Sequence, residues 1–565
     1  MEYKQAIARL LSLHLIDISQ KEITEAIEQP PNAEMGHFAY PCFKLAKTMR
    51  KAPPAIAGDL VDKIMQEALP EWLESAKAAG GYINFYLDRP TFANHVLEEA
   101  KKPAYGSSNV GAGKVVLVEY SSPNIAKHFH VGHLGTTVIG HALFNIFNYL
   151  GYETIGINFL GDWGTSFGKL LTAYLRWGSK EDIEETGIEG LTKLYVRFHD
   201  EADKDPTLEE DARNWVVKME SGDEEGLNIW RWLCAISMRE YQKVYDRLGI
   251  NFDSFRGESY YNGKMDPLIE GIKQKGLLKE SEGAMIVDLE DHNMPPCLVL
   301  RGDGGTLYAT RDMAAAVDRY DVYRFDKSLY VTANEQKLHF AQFFKVLELM
   351  GYPWATNMVH VPYGLFIFES GKMSTRKGQV IKLAELLDES VAKTLEIIKE
   401  KSPHLEGKEE IAEQVGVGAV VFNEMYNSRV KDVLFSWERM LNFEGETGPY
   451  VQYTHARACS VLEKAKGANQ PVSIANQLSD PEAFEILRLL YNFPERVNEA
   501  ADKYEPFIIS RFLVALAQAF NKFYNSHQIL TGDDMQDARL ALVDSVRVVL
   551  ESGLKLLGIA APRRM

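Results

Sequence analysis

The chain reads as an α/β protein centred on a parallel sheet, with a smaller α/β module before it and an all-helical domain after it. Three observations predict this. Apolar strand-like runs alternate with helix-period segments between residues 111 and 410. A separate module closes on an alternating strand before residue 110, and strand patterns stop near residue 411, after which helical spacing continues.

At 565 residues the chain exceeds what one hydrophobic core usually holds, so three domains are expected, or at least two. The first, residues 1–110, carries helical stretches at Tyr3–Leu15 and Ala55–Ala68. It ends on GGYINFYLD (Gly80–Asp88), a strand preceded by glycines. The second, residues 111–410, opens with VVLVEY (Val115–Tyr120), a buried-strand pattern, then SSPN and a helical pattern from about Val131 to Leu150. TIGINFLGDWG (Thr154–Gly164) supplies the next strand and a glycine-punctuated turn. Strand, loop, helix and strand in this order predict a right-handed βαβ unit of a Rossmann-like nucleotide-binding sheet, whose ligands sit beyond the carboxyl ends of the strands. Further strand-like runs lie at Ala284–Leu289, Ser328–Thr332 and Tyr363–Glu369. In the third domain, residues 411–565, Leu542, Val546, Val549, Leu550, Leu554 and Leu557 recur at three- and four-residue spacing and give one apolar helix face.

Composition narrows the class without naming it. Apolar residues make up 46% and charged residues 25%, ordinary for a globular protein. No apolar run reaches the roughly 18–20 residues that span a bilayer, and MEYKQAIARL lacks a signal-peptide core, so a cytoplasmic protein with no membrane partner is expected. Cys42, Cys234, Cys297 and Cys459 form no CxxC pair; free buried thiols are expected, and no protein-held metal. The net charge of −17 argues against a nucleic-acid partner at first sight. Residues 180–225, however, hold 16 acidic and 6 basic side chains, so most of the excess sits in one segment, expected to be an insertion on the rim of the second domain. A local basic surface for RNA remains open.

The most informative stretch is SSPNIAKHFHVGHLGTT (Ser121–Thr137). His130 and His133 flank Gly132 where a loop after a strand enters a helix, whose free N–H groups and positive dipole end suit a triphosphate. Two imidazoles there can donate hydrogen bonds to oxygens that gain charge as an α-phosphate is attacked. Gly132, lacking a side chain, would let a nucleotide base approach the backbone. HxGH alone is as consistent with a helix start carrying incidental histidines; Lys127 and the preceding SPN weigh against that. The second element is ESGKMSTRKG (Glu369–Gly378), a basic loop after an apolar strand. Lys372, Arg376 and Lys377 can offset charge on leaving pyrophosphate, with Ser374 beside them. A short basic loop by itself is more often a solvated turn.

Together the two stretches resemble the HIGH and KMSKS signatures of class I aminoacyl-tRNA synthetases. His130-Val131-Gly132-His133 matches the first, and Lys372-Met373-Ser374-Thr375-Arg376 the second except for Thr375, where a lysine is usual. Many arginyl-tRNA synthetases show the same exchange and carry a lysine ahead of the first signature, where this chain has Lys127. GDWGTSFG (Gly161–Gly168), DGGTLYATRDMAAA (Asp303–Ala316), NEQKLHFAQFF (Asn334–Phe344), GETGPYVQYTHAR (Gly445–Arg457) and the terminal Ala538–Met565 also resemble segments of the arginyl family, in order.

The resemblance implies a ligase that activates L-arginine with ATP and esterifies the 3′ end of arginine tRNA, with Mg2+ held mainly by the ATP phosphates. It implies ATP contacts from His130, Gly132, His133, Gly364 and Met373, with Lys127, Lys372, Ser374, Arg376 and Lys377 serving the phosphates. For arginine, a planar cation with five donors, it implies Asp312 and Tyr308, four apart on one helix face, with Glu119, Asn124 and Gln336 completing the pocket. It also implies tRNA contacts from Phe38, within GHFAYPCFKLAK, and from Tyr450, Tyr453 and Arg457, with Phe523 and Tyr524 as further candidates. Phe38 is as consistent with packing inside its domain. A monomer is expected because the family is usually monomeric. A small-molecule nucleotidyltransferase is a rival but is much shorter. A non-catalytic tRNA-binding relative is opposed by His130, His133 and Lys372, and the glutamyl, glutaminyl and cysteinyl enzymes by Lys127 with the altered second signature.

Overall fold

The computed structural model describes residues 3–30, 35–302, 305–368, 381–465, 478 and 480–565. Contacts divide the chain into two compact units, and the C-terminal helices contribute to both. The first holds Met1–Tyr105, Ala458–Asn492 and Gln518–Val549; the second holds Gly106–Arg457, Phe493–Ala517 and Leu550–Met565.

The first unit contains an antiparallel sheet in the order Phe38–Pro41, Tyr82–Leu87, Leu73–Ala79. The predicted strand and both helices form, the helices spanning Tyr3–Ser12 and Pro53–Gln66. The second helix starts on two prolines, whose missing N–H groups cost nothing in a first turn. An aromatic cluster fills the core, with Tyr3 5.6 Å from the Tyr491 ring and Phe92 5.5 Å from Phe484.

In the second unit four parallel strands run in the order Met358–Tyr363, Lys327–Ala333, Val115–Glu119, Glu153–Ile157. The last two are joined by the helix Leu134–Tyr149, as the strand–helix–strand pattern predicts. That helix lies so close to the sheet that a Cβ on Gly140 would stand 2.2 Å from Tyr120 Cβ. Strands buried under helices on a parallel sheet read as continuous apolar runs, and Val116, Leu117 and Val118 are fully buried. An antiparallel sheet of Leu278–Ser281, Ala284–Val287 and Cys297–Leu300 packs beside this core. The acidic segment folds as helices Lys180–Thr186, Ile188–Ala202 and Thr207–Glu220, and Phe198, Leu208 and Ala212 close a small core against Ala173.

Past residue 411, among the described residues, one strand interrupts the helices: Val433–Phe435 pairs in parallel with Phe366–Phe368. The apolar face of the last helix, Asp534–Leu556, forms as spaced, with Leu542, Val546, Val549, Leu550 and Leu554 fully buried. All four cysteines are free; Cys42, Cys297 and Cys459 are buried and Cys234 is half-buried.

Candidate active site

The first strand of the βαβ unit ends on Glu119, and the loop after it is strained. Ser121, Ser122 and Ala126 take φ of 68°, 46° and 62°. Such left-handed residues cost of order 1–3 kcal/mol each and persist only where surroundings dictate them. Those surroundings are visible. Ser121 N–H donates to Thr136 Oγ1 (3.0 Å), and the Tyr241 hydroxyl lies 2.7 Å from the Asn124 carbonyl and 2.6 Å from that of Lys127. Ile125 N–H donates to Gly161 O and Gly161 N–H to Pro123 O, so the GDWG turn holds the SPN turn. A Cβ at Gly161 would lie 2.0 Å from Asn124 Oδ1. A side chain there would force the Asn124 amide aside.

The held loop delivers His130 and His133 as an interlocked pair. Gly132 N–H donates to His130 Nδ1 (3.1 Å) and His130 N–H to His133 Nδ1 (3.2 Å), with ring centroids 4.0 Å apart. Burial, reinforced by His130 and Lys127, pushes the His133 pKa down to about 3. Burial and then Lys127 also lower that of His130. Both imidazoles are therefore neutral at pH 7. His130 Nδ1 accepts the Gly132 amide proton, which puts its ring proton on Nε2 as a donor; His133 Nδ1 faces both the N–H (3.2 Å) and the carbonyl (3.3 Å) of His130 and fits either tautomer.

Lys372, Met373, Ser374, Arg376 and Lys377 lie outside the described residues. The chain just beyond them is stitched to the first signature: Val131 N–H donates to Ile381 O (3.1 Å) and Leu383 N–H to Phe129 O (2.9 Å). Glu189, from the acidic segment, reaches Lys382 Nζ (3.2 Å) and His128 Nε2 (3.5 Å). Sequence reading gave that segment no place at the site, and charge composition carries no signal for it.

Of the five expected arginine residues, Glu119 and Asp312 lie close enough for their charges to interact. Glu119 is buried and holds Arg319 Nη1 at 2.5 Å. Burial works against the charge on Arg319, but Glu119 wins and raises its pKa. Asp312 Oδ2 lies 2.6 Å from His339 Nε2, and one residue earlier Arg311 Nη1 is 3.1 Å from Glu258 Oε1. Burial raises the Glu258 pKa to about 7, with Asp312 and Asp162 pushing the same way against Arg311. Tyr308 opens the helix Tyr308–Tyr323 and is 71% exposed; Asn124 and Gln336 are exposed as well. Among the described residues no side-chain hydrogen bond joins these three to the cluster. His339, Arg319, Arg311 and Glu258 were not anticipated. His339 and Arg311 had a signal, lying in the NEQKLHFAQFF and DGGTLYATRDMAAA segments that resemble the arginyl family.

Three family models match the chain: tRNA synthetases class I (R), catalytic domain, over residues 95–437; the DALR anticodon binding domain over 451–565; and the arginyl tRNA synthetase N terminal domain over 1–87. Arginine–tRNA ligase of Alkaliphilus metalliredigens is 51% identical over 567 residues, covering 100% of each chain. The chain belongs to the arginyl-tRNA synthetase family. The corresponding ligase of Clostridioides difficile is 50% identical with the same full coverage. The arginyl-tRNA synthetase of Thermus thermophilus superposes with a TM-score of 0.82 at 28% identity, covering 95% of this chain and 96% of that one.

Within this arginyl-tRNA synthetase framework two expected residues need correction. Phe38 is 2% exposed, opposite Phe85 in the sheet and inside the aromatic core, so it cannot stack on a base. The exposed ring of the same motif is Phe43, at 49%. Gly364 is buried, its amide donates to Arg429 O (2.8 Å), and a Cβ there would stand 2.4 Å from Lys431 O. Its missing side chain serves the chain's own packing. Gly132 is half-buried, with its carbonyl 3.4 Å from the Tyr363 hydroxyl. Tyr453 is exposed and carries the Arg457 guanidinium 4.9 Å above its ring; Tyr450 is half-buried. Phe523 is fully buried against His527.

Proposed function

We propose that this chain activates L-arginine with ATP and passes the arginyl group to the 3′ end of arginine tRNA, releasing pyrophosphate and AMP. The observation that carries the reading is the interlocked pair of neutral imidazoles at the strand-to-helix turn, in a chain that matches arginine–tRNA ligases end to end.

In the first displacement the arginine carboxylate attacks the α-phosphate. His130 and His133 donate to phosphate oxygens that gain charge, and Lys127, Lys372, Ser374, Arg376 and Lys377 serve the leaving pyrophosphate. In the second, a terminal ribose hydroxyl of the tRNA takes the arginyl group. Asp312 and Glu119 supply negative charge for the guanidinium, with Tyr308, Asn124 and Gln336 at the exposed rim. A site built for a bidentate cation rejects neutral analogues because the wrong ligand leaves its acids unpaired. Magnesium enters with the ATP phosphates. Among the described residues the group compact enough for a metal is Asp480, Glu482 and His527, which belongs to the first unit rather than to the catalytic sheet.

Residues 1–110 and the helical domain from about 411 contact the tRNA, the latter through exposed Tyr453 with Arg457, and Tyr450. No helix among the described residues is long and apolar enough to cross a membrane; the reading is of a cytoplasmic monomer, which light scattering would check. tRNA binding precedes adenylate formation, because closure of the site draws on contacts made by the helical domain. Charging of total tRNA with each amino acid in turn tests the assignment. Arginine alone should be esterified, and only with ATP. Charging with any other amino acid, or none, overturns it.

A further inference from the structure

We propose that Arg429 is a positioning residue for the nucleotide end of the catalytic sheet, held in place by the turn Tyr504–Pro506. The inference rests on the functional reading above, which puts ATP beside Gly132.

Arg429 lies between the helix Lys408–Glu424 and the strand Val433–Phe435. It makes four hydrogen bonds in two directions. Toward the turn, its Nε donates to the Tyr504 carbonyl (2.9 Å) and its backbone N–H to Glu505 Oε2 (3.2 Å). Toward the sheet, its Nη1 donates to the Pro362 carbonyl (2.8 Å) and its own carbonyl accepts Gly364 N–H (2.8 Å). Ser428 Oγ donates to Glu505 Oε1 (2.9 Å), so both carboxylate oxygens are engaged. Arg429 and Glu505 are only 13% and 14% exposed, where charged hydrogen bonds are least weakened by water.

The two gripped sheet residues flank Tyr363. Its hydroxyl faces the Gly132 carbonyl at 3.4 Å, and its ring would lie 2.7 Å from a Cβ on Gly135, in the first turns of the signature helix. There is no slack at that contact. Displacing Pro362–Gly364 therefore displaces Tyr363 and, with it, the backbone of the first signature.

The turn is itself strained. Tyr504 takes φ 55°, a conformation that bulky residues rarely adopt. Glycine would relieve the backbone but lose the side chain, which also reaches the sheet. The Tyr504 hydroxyl accepts from Lys327 Nζ at 2.7 Å, and that ammonium stands 4.9 Å from the ring centroid. Lys327 begins the neighbouring strand of the same sheet. The turn between the helices Pro481–Lys503 and Phe507–Ser526 thus grips adjacent strands, one at its start and one at its end.

The test is arginine-dependent ATP–pyrophosphate exchange, with arginine tRNA present, on the wild-type chain and on Arg429→Ala, Arg429→Lys and Glu505→Gln. Loss of two charged hydrogen bonds predicts a KM for ATP raised roughly tenfold or more in Arg429→Ala. Arg429→Lys should recover part of this, Glu505→Gln should show a smaller rise, and the KM for arginine should stay within about twofold of wild type in all three. If Arg429→Ala fails to fold, judged by circular dichroism, the other two variants carry the same comparison. Folded variants whose two KM values move together, or whose kinetics are unchanged while thermal stability falls, overturn the proposal. A wild-type chain without arginine-dependent exchange overturns the functional reading instead, and this inference with it.

Discussion

The two ends of the catalytic centre are prepared differently. At the proposed phosphate end, strained loop residues and backbone groups hold two neutral imidazoles against each other. At the proposed amino-acid end three carboxylates already have a cation or imidazole of the chain's own: Arg319 on Glu119, His339 on Asp312, Arg311 on Glu258. On the proposed assignment the two imidazoles bear no ionic partner to displace among the described residues, whereas an incoming guanidinium must share or displace one. A site of the second kind is selective because a weaker cation does not repay the exchange.

The largest expected effect breaks the amino-acid end. Asp312→Asn removes the charge that His339 and the guanidinium both face, and should lower kcat/KM for arginine by about 10³ through KM. A loss below tenfold in steady-state charging would remove Asp312 from the pocket. Next comes the phosphate end. His133→Ala should slow activation by about 10²–10³, as the loss of one transition-state donor does, with the fold intact. Single-turnover adenylate formation measures this, and a near wild-type rate would take His133 out of the mechanism. Lys127→Ala should cost about 10–100-fold in turnover with little change in arginine KM. Lysine installed at Thr375 in that background should restore part of the loss. An effect confined to the arginine KM would end the compensation idea.

The smallest effect is a pH dependence. Burial raises the Glu424 pKa from 4.5 to about 8, and its Oε2 has no partner among the described residues; its Oε1 faces Gly135 of the signature helix. The folded state keeps this proton that the unfolded state releases above pH 4.5, so stability is lost as pH rises through 8. Glu424→Gln should raise the melting temperature by about 1–3 °C at pH 8.5, and by less at pH 6. Equal shifts at both values would contradict the buried proton. Burial holds His37, His141 and His360 near 4, with His133 lower still, so the unfolded chain binds protons first as pH drops below 6.5. Melting temperature should fall steadily from pH 6.5 toward 4.

What could be read from sequence was what is local. His130 and His133 lie three apart at a helix start, so chain geometry alone brings them together. The βαβ unit and the apolar face of the last helix follow from periodicity in the same way. What depended on distant partners was not legible. Phe38 and Phe43 sit in one motif, and only pairing with Phe85 decides which ring is buried. Gly364 is expected at ATP by resemblance, and nothing local tells that Lys431 O, 67 residues on, occupies the space beside it. Arg319 reaches Glu119 across 200 residues, and Glu189 reaches Lys382 across 193. No spacing rule reports such contacts.

The contrast between the two ends is tested most directly by measuring both substrates' KM and the kcat of tRNA-supported exchange for Asp312→Asn and His133→Ala side by side. The account predicts a crossed result. Asp312→Asn should raise the arginine KM while leaving the ATP KM near wild type, and His133→Ala should lower kcat with both KM values nearly unchanged. If the two variants altered the same parameter, the centre would be one undivided site, and the division into a ready phosphate end and a partner-exchanging amino-acid end would be wrong.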